Sequence, residues 1–265
     1  MIFRRATVLD IPNVSSLWKT TFGDSERFIA RFISFFGVET CYVCEFYHEI
    51  IAIAFALPTQ IRFKAYYIYA CATHPQHQKQ GIMKKLLEKI YHDACCENVQ
   101  GIFLYAANKN VANYYRKLGF EDFFYRKEIL YDTSQLNAKI ETSPNSYFEI
   151  TPEEYYIKRR KKLYNLCFVD WNKDFFQFIQ KEELHFCEYE DSIFSYKLKE
   201  DAIVVEELLG KMPADTIAHL LIANSPDIKT INFRLPGSDV CCGQMKWCKS
   251  SDRMNNNDYF AFAME

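Results

Sequence analysis

The sequence of 265 residues lacks long apolar runs, and its formal net charge is only −2. The most apolar stretch, Ile50 to Leu57, is shorter than the roughly 18 residues that a membrane-spanning helix needs, so we do not expect a membrane protein. The small net charge provides no global field that would favour nucleic acid or an acidic membrane surface. Residues 1–5 lack the apolar core and the small-residue cleavage site of a signal peptide. These absences together predict a cytoplasmic protein.

Cysteine is plentiful, with ten residues, but motifs that would give the cysteines a metal or a disulfide are missing. One Cys41-x-x-Cys44 pair occurs, without the second pair that a zinc site would require. Its two cysteines lie in a predicted strand, where residues three apart point to opposite faces. We therefore expect reduced thiols in a reducing compartment and no bound metal.

The common nucleotide-binding motifs are also missing, because neither Gly-x-Gly-x-x-Gly nor Gly-Lys-Ser/Thr follows a predicted strand. What the chain does have is a β-rich run from Ala65 to Thr73, a short polar turn, and a helical pattern from Gly81 to about Cys95. The first N–H groups of a helix have no internal partner, and the helix dipole favours an anion there. Gly81 has no Cβ, which lets a ligand approach the backbone closely. The pattern predicts a phosphate-binding site.

The spacing of this turn, Gln78-x-x-Gly81-x-Met83, resembles the pyrophosphate-binding turn of the GCN5-related N-acetyltransferases, the GNAT superfamily. Asn108, followed seven residues later by Tyr115 and then by a Leu-Gly-Phe exit, resembles the second signature of that family. The two signatures stand in the family's order, and the chain resembles the tandem-domain branch of enhanced-intracellular-survival-type enzymes. Met83 stands where the family usually has glycine or alanine, so its side chain must point away from the phosphate.

This resemblance implies an α/β (α+β) chain with the acyl-CoA N-acyltransferase fold, in which helices flank a mixed, twisted sheet. We expect an acetyltransferase domain at 1–133, a linker at 134–147 and a second, degenerate GNAT-like domain at 148–265. The second domain repeats the element order of the first but lacks both signatures, so we do not expect it to hold its own coenzyme. Its predicted strands are His185 to Glu190, Ser192 to Leu198, Ala202 to Leu209, Thr230 to Leu235 and Asp258 to Met264.

The resemblance also implies acetyl-CoA as co-substrate and assigns residues to it. In the family the end of one strand pairs with the pantetheine arm, the turn holds the pyrophosphate, and the asparagine binds the pantetheine amides. The residues concerned are Cys71, Ala72, Thr73, Gln78, Lys79, Gln80, Gly81, Ile82, Met83 and Asn108. The strand from Gly101 to Ala107 should splay away from the preceding strand and leave a cleft for the thioester.

Tyr115 is the candidate general acid for the departing thiolate. A tyrosine has a pKa of about 10 and a thiol a pKa of about 8.5, so Tyr115 would still carry its proton when the thiolate leaves. The general base is open. In the resembling tandem-domain enzymes the C-terminal carboxylate enters the active site, and Glu265 is the corresponding residue here; deprotonation through a water is the alternative.

The expected reaction is acetyl transfer to a primary amine of a small molecule or peptide, and the sequence identifies neither the acceptor nor the oligomeric state. Two aromatic-rich helices precede the second strand and are candidates for the acceptor wall, although core packing also explains their aromatic residues. Transfer of another acyl group and non-catalytic acyl-CoA sensing are the alternative functions. The basic run Lys158 to Lys162 predicts a solvated helix face rather than a coenzyme-phosphate or acidic-partner site.

Overall fold

The computed structural model describes residues 1–136, 147–249 and 259–262. Strands alternate with helices along the chain in the order expected for a mixed α/β fold. The strands are β1 (Ile2–Arg5), β2 (Cys41–Phe46), β3 (Glu49–Gln60), β4 (Lys64–Thr73), β5 (Gly101–Leu104), β6 (Glu121–Asp132), β7 (Phe148–Glu149), β8 (His185–Tyr189), β9 (Ser192–Lys199), β10 (Ala202–Leu209), β11 (Thr230–Pro236) and β12 (Val240–Trp247). The helices are α1 (Ile11–Phe22), α2 (Glu26–Phe36), α3 (Ile82–Cys96), α4 (Lys109–Lys117), α5 (Pro152–Lys162), α6 (Lys173–Gln180) and α7 (Ala214–Asn224).

The described chain forms two compact units, and each unit combines segments that are separated in the sequence. The first contains residues 1–122 and 243–249, and the second contains residues 123–136, 147–242 and 259–262. Most of β6 therefore belongs to the second unit, while the end of β12 belongs to the first. The assignment of 1–133 and 148–265 to two domains stays a prediction, and residues 137–146 of the expected linker lie outside the described chain.

The sheet of the first unit has the order β1-β2-β3-β4-β5-β12. Its pairs are antiparallel except β4 with β5, which are parallel because α3 crosses between them. On one face, Trp18 of α1 and Phe32 of α2 pack edge-on against Phe55 of β3. On the other face, Leu86 and Ile90 of α3 lie in the core formed with the alternate residues of β2, β3 and β4. A mixed sheet with helices on both faces confirms the predicted fold class.

Local sequence explains the tight α1–α2 corner. Gly23 ends α1 in the left-handed conformation, at φ 77°, which costs glycine little. Two residues later the Ser25 hydroxyl accepts the Phe28 N–H at 3.1 Å and caps α2. The two helices can therefore turn sharply and present their aromatic residues to the same face of the sheet.

The second unit repeats the first, as the element order predicted. Its sheet runs β6-β11-β10-β9-β8-β7, with β10 and β11 parallel and α7 crossing between them. The core on the α7 side joins Ile217 and Leu221 to Val205 of β10 and Phe233 of β11. In the sequence, β6 follows the strands of the first repeat and β12 follows those of the second. In the sheet, however, β6 pairs with β11 of the second repeat, and β12 pairs with β5 of the first.

Two strand predictions in the C-terminal part were incomplete. The sequence pattern did not predict β12, because Gly243 and the charged Lys246 interrupt its apolar residues. The strand expected from Asp258 to Met264 falls partly outside the described chain, and among residues 259–262 only Tyr259 makes a β-bridge, with Phe168. Residues 259–262 are buried, but they do not form a continuous β-ladder.

The basic run in α5 is not simply a solvated face. Arg159 is fully buried, and its Nε donates to both oxygens of Glu207 on β10, at 3.1 and 2.9 Å. Burial acts to lower the pKa of Arg159, but the adjacent Glu207 carboxylate outweighs it and the pKa is raised. The neighbouring Lys158 pairs with Glu188 at the surface. For Arg159 the predicted exposure was wrong, because the partner lies 48 residues away on a strand.

Among the described residues, no helix is both long and apolar enough to span a membrane. All ten cysteines lie within the described ranges, and none of them forms a disulfide.

Candidate active site

The candidate site begins where β4 and β5 stop pairing. Their parallel register runs from Ala65 opposite Gly101 to Ile68 opposite Leu104, where β5 ends. β4 continues for five more residues, to Thr73, of which Tyr69, Ala72 and Thr73 are paired with β3 on its other side. The β5-facing edge of β4 is therefore unpaired with β5 from residue 69 onward. The β4–β5 ladder therefore ends where the sequence predicts that the two strands separate to leave a cleft.

A β-bulge lies at the start of the unpaired part of β4. Tyr69 faces Phe55 across the β3 ladder and Ala72 faces Ile53, so two residues of β4 oppose a single residue of β3. Ala70 takes the left-handed conformation, at φ 50°. This conformation costs a residue with a Cβ about 1–2 kcal/mol, and such strain concentrates at functional sites. The bulge removes backbone groups of β4 from the β3 ladder.

The turn between β4 and α3 is hydrogen-bonded to the end of β4. The Gln78 side-chain amide donates to the Thr73 carbonyl at 3.1 Å. His74 accepts the Gln76 N–H on Nδ1 at 3.4 Å, which gives this histidine a structural role. The backbone then turns left-handed at Lys79, with φ 61°, and again at Gly81, with φ 76°. Such reversals direct successive N–H groups into a concavity of the kind that binds anions.

The N-terminus of α3 is open and carries no competing group. No side chain caps it at Gly81, and its first turn contains no acidic residue. A Cβ built on Gly81 would meet nothing within 4 Å, so there is open space above the backbone. Met83, where the GNAT turn usually has a small residue, packs its side chain against the core of the first unit. These residues fit a bound pyrophosphate, because free N–H donors and the helix dipole face the open space.

Tyr115 comes to the cleft on α4. Asn108 begins this helix by accepting the Val111 N–H on Oδ1 at 3.0 Å, and Gly119 follows its end at φ 87°. The Tyr115 ring is buried, with the Phe120 ring 5.6 Å away and the Tyr114 ring 5.4 Å away. The Asn108 carbonyl oxygen is thus committed to the helix, which leaves its NH₂ group to donate to a ligand.

The C-terminal strand β12 holds α4 in place. Gln244 donates to the Ala112 carbonyl at 3.3 Å, and the Lys246 ammonium donates to the Leu118 carbonyl at 2.9 Å. The first contact falls on α4 before Tyr115, and the second falls on Leu118, the residue directly after the helix. Sequence reasoning missed these two positioning residues, since nothing in the sequence places β12 beside β5.

The Tyr115 hydroxyl lies beside the thiol of Cys71, and the two groups interact. Burial, and then the neighbouring Cys71, raises the pKa of Tyr115 well above its ordinary value of 10. Burial also raises the pKa of the Cys71 thiol to about 11, and the contact with Tyr115 opposes part of this rise. Both groups are therefore neutral at physiological pH. A neutral phenol can donate a hydrogen bond at this point of the cleft.

Comparison with known proteins gives a family match for the part of the chain that carries this site. Residues 37–122, from the entry into β2 to the start of β6, match the family model of the acetyltransferase (GNAT) domain. The match contains both the turn at Gln78 to Met83 and the helix that carries Tyr115. Residues 37–122 therefore contain a GNAT acetyltransferase domain by this match. The match supports N-acetyltransferase activity, and that family uses acetyl-CoA as acyl donor.

Solved structures show the tandem GNAT fold along nearly the whole chain. A GCN5-related N-acetyltransferase from Anabaena variabilis is 13% identical, with a TM-score of 0.74, and the match covers 95% of this chain and 74% of that one. Eis1 from Mycobacterium abscessus is 9% identical, with a TM-score of 0.69, over 94% of this chain and 74% of that one. A tandem GNAT protein from the clavulanic acid pathway is 9% identical, with a TM-score of 0.56, over 94% and 98%. No curated protein sequence matches the chain significantly.

Of the predicted coenzyme residues, Cys71 to Thr73 lie at the end of β4, Gln78 to Met83 lie in the turn and first residues of α3, and Asn108 is the N-cap of α4, the helix that carries Tyr115. The assignment of each of them to acetyl-CoA stays a prediction. Glu265, the candidate base, lies outside the described residues. Reasoning from the sequence missed the left-handed backbone at Ala70, which has no signature in an alanine, and Tyr69 beside it.

The second GNAT-like unit reproduces the splayed strands but closes the anion site. Pairing of β10 with β11 also covers four residues, and a bulge follows it. Here, however, Ser192 accepts the Met212 N–H at 3.0 Å, and Asp191 accepts the Lys211 N–H at 3.4 Å. Asp215 adds a negative charge to the first turn of α7. The turn that would face a phosphate is thus engaged by the chain's own side chains and carries an unfavourable charge.

Proposed function

We propose that the protein transfers the acetyl group of acetyl-CoA directly to a primary amine, with Tyr115 as the acid that assists departure of the coenzyme thiolate. The observation that carries this proposal is the position of the Tyr115 hydroxyl. It lies beside Cys71, three residues past the last β4–β5 pair. A thioester held along the unpaired edge of β4 would bring its sulfur to this hydroxyl.

The donor would be held by backbone groups more than by side chains. The residues from Gln78 to Met83 would bind the pyrophosphate through N–H groups at the open start of α3. The backbone of Cys71, Ala72 and Thr73 would pair with the pantetheine arm, and the Asn108 NH₂ group would donate to its amide carbonyls. Donors freed by the bulge at Ala70 would polarise the thioester carbonyl as charge develops on its oxygen.

In the transfer the amine nitrogen forms a bond to the carbonyl carbon, the carbon–sulfur bond breaks, and the nitrogen loses a proton. Full proton transfer from Tyr115 to a thiolate would be uphill, because its pKa is raised well above 10, whereas a thiol has a pKa of about 8.5. Tyr115 would therefore act by donating a strong hydrogen bond to the sulfur as its charge grows. The proton released by the amine balances the reaction.

The acceptor would be a small-molecule or peptide amine that enters from the face of the sheet opposite α3. The carboxylate of Glu265 or a water would take its proton. The abundance of thiols without a disulfide supports action in a reducing compartment such as the cytoplasm.

Two adjacent tyrosines provide a matched test of the role of Tyr115. Tyr115→Phe should lower kcat by roughly 10²-fold, as expected for loss of an acid catalyst, while the dissociation constant of acetyl-CoA stays within about twofold. Tyr114→Phe, which alters a partly exposed neighbour on the same helix, should leave both quantities unchanged. Equal effects of the two exchanges, or a Tyr115→Phe enzyme with full kcat, would overturn the assigned role.

A further inference from the structure

The helix that carries Tyr115 has little to hold it in place by itself. α4 has nine residues, of which only Tyr115 is buried, and a helix of this length is marginal in water without tertiary contacts. The position of the Tyr115 hydroxyl therefore depends on the contacts that fix the two ends of α4. The Asn108 cap fixes the first end. Further contacts come from Gln244 and Lys246 of β12, which are 132 and 128 residues away from their partners in the sequence.

Lys246 lies across the C-terminal end of α4. Its ammonium group donates at 2.9 Å to the carbonyl of Leu118, the C-cap residue three positions after Tyr115. A positive charge is favoured at this end, because the last carbonyl groups of a helix have no internal partner and form the negative end of the helix dipole. The same ammonium group lies 4.4 Å from the centre of the Tyr91 ring and 6.0 Å from that of the Phe120 ring. These two rings set the direction of the lysine side chain.

Phe120 connects this contact to Tyr115. Its N–H donates to the Tyr115 carbonyl at 3.2 Å, and the two rings lie 5.6 Å apart. Between them in the chain is Gly119, and a Cβ built on it would lie 3.7 Å from Cε of Lys246. A displacement of Lys246 would therefore be transmitted to both the backbone and the ring of Tyr115.

Gln244 contacts α4 from the same face of β12, since side chains two residues apart in a strand share a face. Its NH₂ group donates to the Ala112 carbonyl at 3.3 Å and to the Asp122 carboxylate at 2.9 Å. Asp122 in turn accepts the Arg116 guanidinium of α4 at 2.9 and 2.8 Å. Both groups that face the NH₂ group are acceptors, which fixes the orientation of the amide. The paired half of this buried side chain is thus directed at α4 and at the partner of Arg116.

We propose that Gln244 and Lys246 are positioning residues for Tyr115: they fix α4 and its C-cap residue, on either side of Tyr115, and so keep its hydroxyl beside Cys71. The inference rests on the proposed function of Tyr115 and adds the residues that give its hydroxyl a place. Neither residue lies within 37–122, the segment that matches the GNAT domain model. Part of what positions the acid is therefore supplied by a strand that follows the second repeat in the sequence.

The test is a double-mutant cycle on kcat, measured as release of coenzyme A from acetyl-CoA with hydroxylamine as a small acceptor and with the spontaneous rate subtracted. Lys246→Met keeps the length of the side chain but removes the donor. It should lower kcat by roughly tenfold, because a small misplacement of a catalytic group is costly. The dissociation constant of acetyl-CoA should stay within about twofold, since the Asn108 end of α4 is untouched. In a Tyr115→Phe enzyme the same exchange should change kcat by less than about twofold, because no hydroxyl is left to position.

Three further variants complete the design. Lys246→Arg keeps a donor and should retain most of kcat. Lys117→Met removes an exposed lysine from the last turn of α4 and is the matched control, with kcat unchanged. Gln244→Leu should lower kcat in the wild-type enzyme and not in the Tyr115→Phe enzyme, which gives an independent reading if Lys246→Met does not fold.

The contrary outcomes are distinct. An equal loss of kcat in the wild-type and Tyr115→Phe enzymes would show a general structural effect and overturn the inference, as would full kcat in Lys246→Met and Gln244→Leu. Both results leave the proposed function standing where Tyr115→Phe alone lowers kcat. A Tyr115→Phe enzyme with full kcat, or a wild-type enzyme that does not accelerate the reaction, overturns the proposed function and this inference with it.

Discussion

Replacing Glu207 with glutamine should destabilise the second unit far more than the same exchange at Glu188. Both glutamates pair with basic residues that are adjacent in α5: Glu188 with Lys158 and Glu207 with Arg159. The pairs differ in burial, because both side chains of the Arg159 pair are fully buried, while those of the Lys158 pair are 30–36% exposed. The two exchanges therefore compare the same chemistry in two environments.

The magnitude follows from what the Glu207→Gln exchange leaves behind. Arg159 would stay charged among the rings of Phe168, Phe176 and Phe262, which lie 5.0 to 5.8 Å from its guanidinium carbon. The charge-assisted hydrogen bond that the Tyr155 hydroxyl donates to Glu207 at 2.9 Å would also weaken. Removing one partner of a buried ion pair costs about 3–5 kcal/mol, whereas an exposed pair is worth at most about 1 kcal/mol.

The assay is equilibrium unfolding in urea, followed by circular dichroism, with thermal unfolding as a second reading. For a unit of this size, about 3–5 kcal/mol corresponds to a fall in Tm of roughly 10 °C or more. The double exchange Arg159→Met with Glu207→Leu should recover at least half of the loss, because it removes both charges together. Equal costs for Glu207→Gln and Glu188→Gln would refute the argument from burial.

Three further outcomes follow from the titratable groups of the first unit. Because burial and Cys71 raise the pKa of Tyr115 well above 10, its protonated form persists as pH rises, so kcat should not fall before about pH 9.5; a decline centred below pH 9 would contradict this. Because the Cys71 pKa is raised to about 11, iodoacetamide at pH 7.5 should alkylate the exposed Cys96 first, and mass spectrometry showing early labelling of Cys71 would contradict the raised pKa. Asp10 accepts Arg4 at 2.7 and 2.9 Å and the Thr7 N–H at 2.7 Å, which holds its pKa well below the usual range. Asp10→Asn should therefore cost about 1–2 kcal/mol at pH 7, a difference that shrinks as pH falls below about 4 and the carboxylate is protonated.

Local features of the sequence predicted well the turn after β4 and the helix that carries Tyr115. The strand, the polar turn and the helix after Gly81 are neighbours in the chain, and the Leu-Gly-Phe exit after Tyr115 marks a helix end by the chemistry of glycine. The structure places these elements within a residue or two of the predicted bounds. Such signals depend on residues that are close in sequence, so no knowledge of the tertiary structure was needed.

The remaining features depend on distant partners. Ala70 takes its left-handed conformation because the β3–β4 ladder must absorb an extra residue, and alanine gives no sign of this. The partner of β12 is β5, more than 130 residues earlier, as the pair of Gln244 and Leu104 shows. Arg159 is buried because Glu207, its ion-pair partner, lies on β10. In each case the deciding interaction is long-range, and the local pattern favours a different outcome or none.

The measurement that tests the account most directly is a calorimetric titration of the protein with acetyl-CoA. The open start of α3 in the first unit and the engaged turn at Lys211 and Met212 in the second predict one molecule bound per chain. A stoichiometry of one that persists in Tyr115→Phe would support coenzyme binding at the first unit with Tyr115 reserved for the chemical step. Absence of binding, or two molecules per chain, would contradict the account.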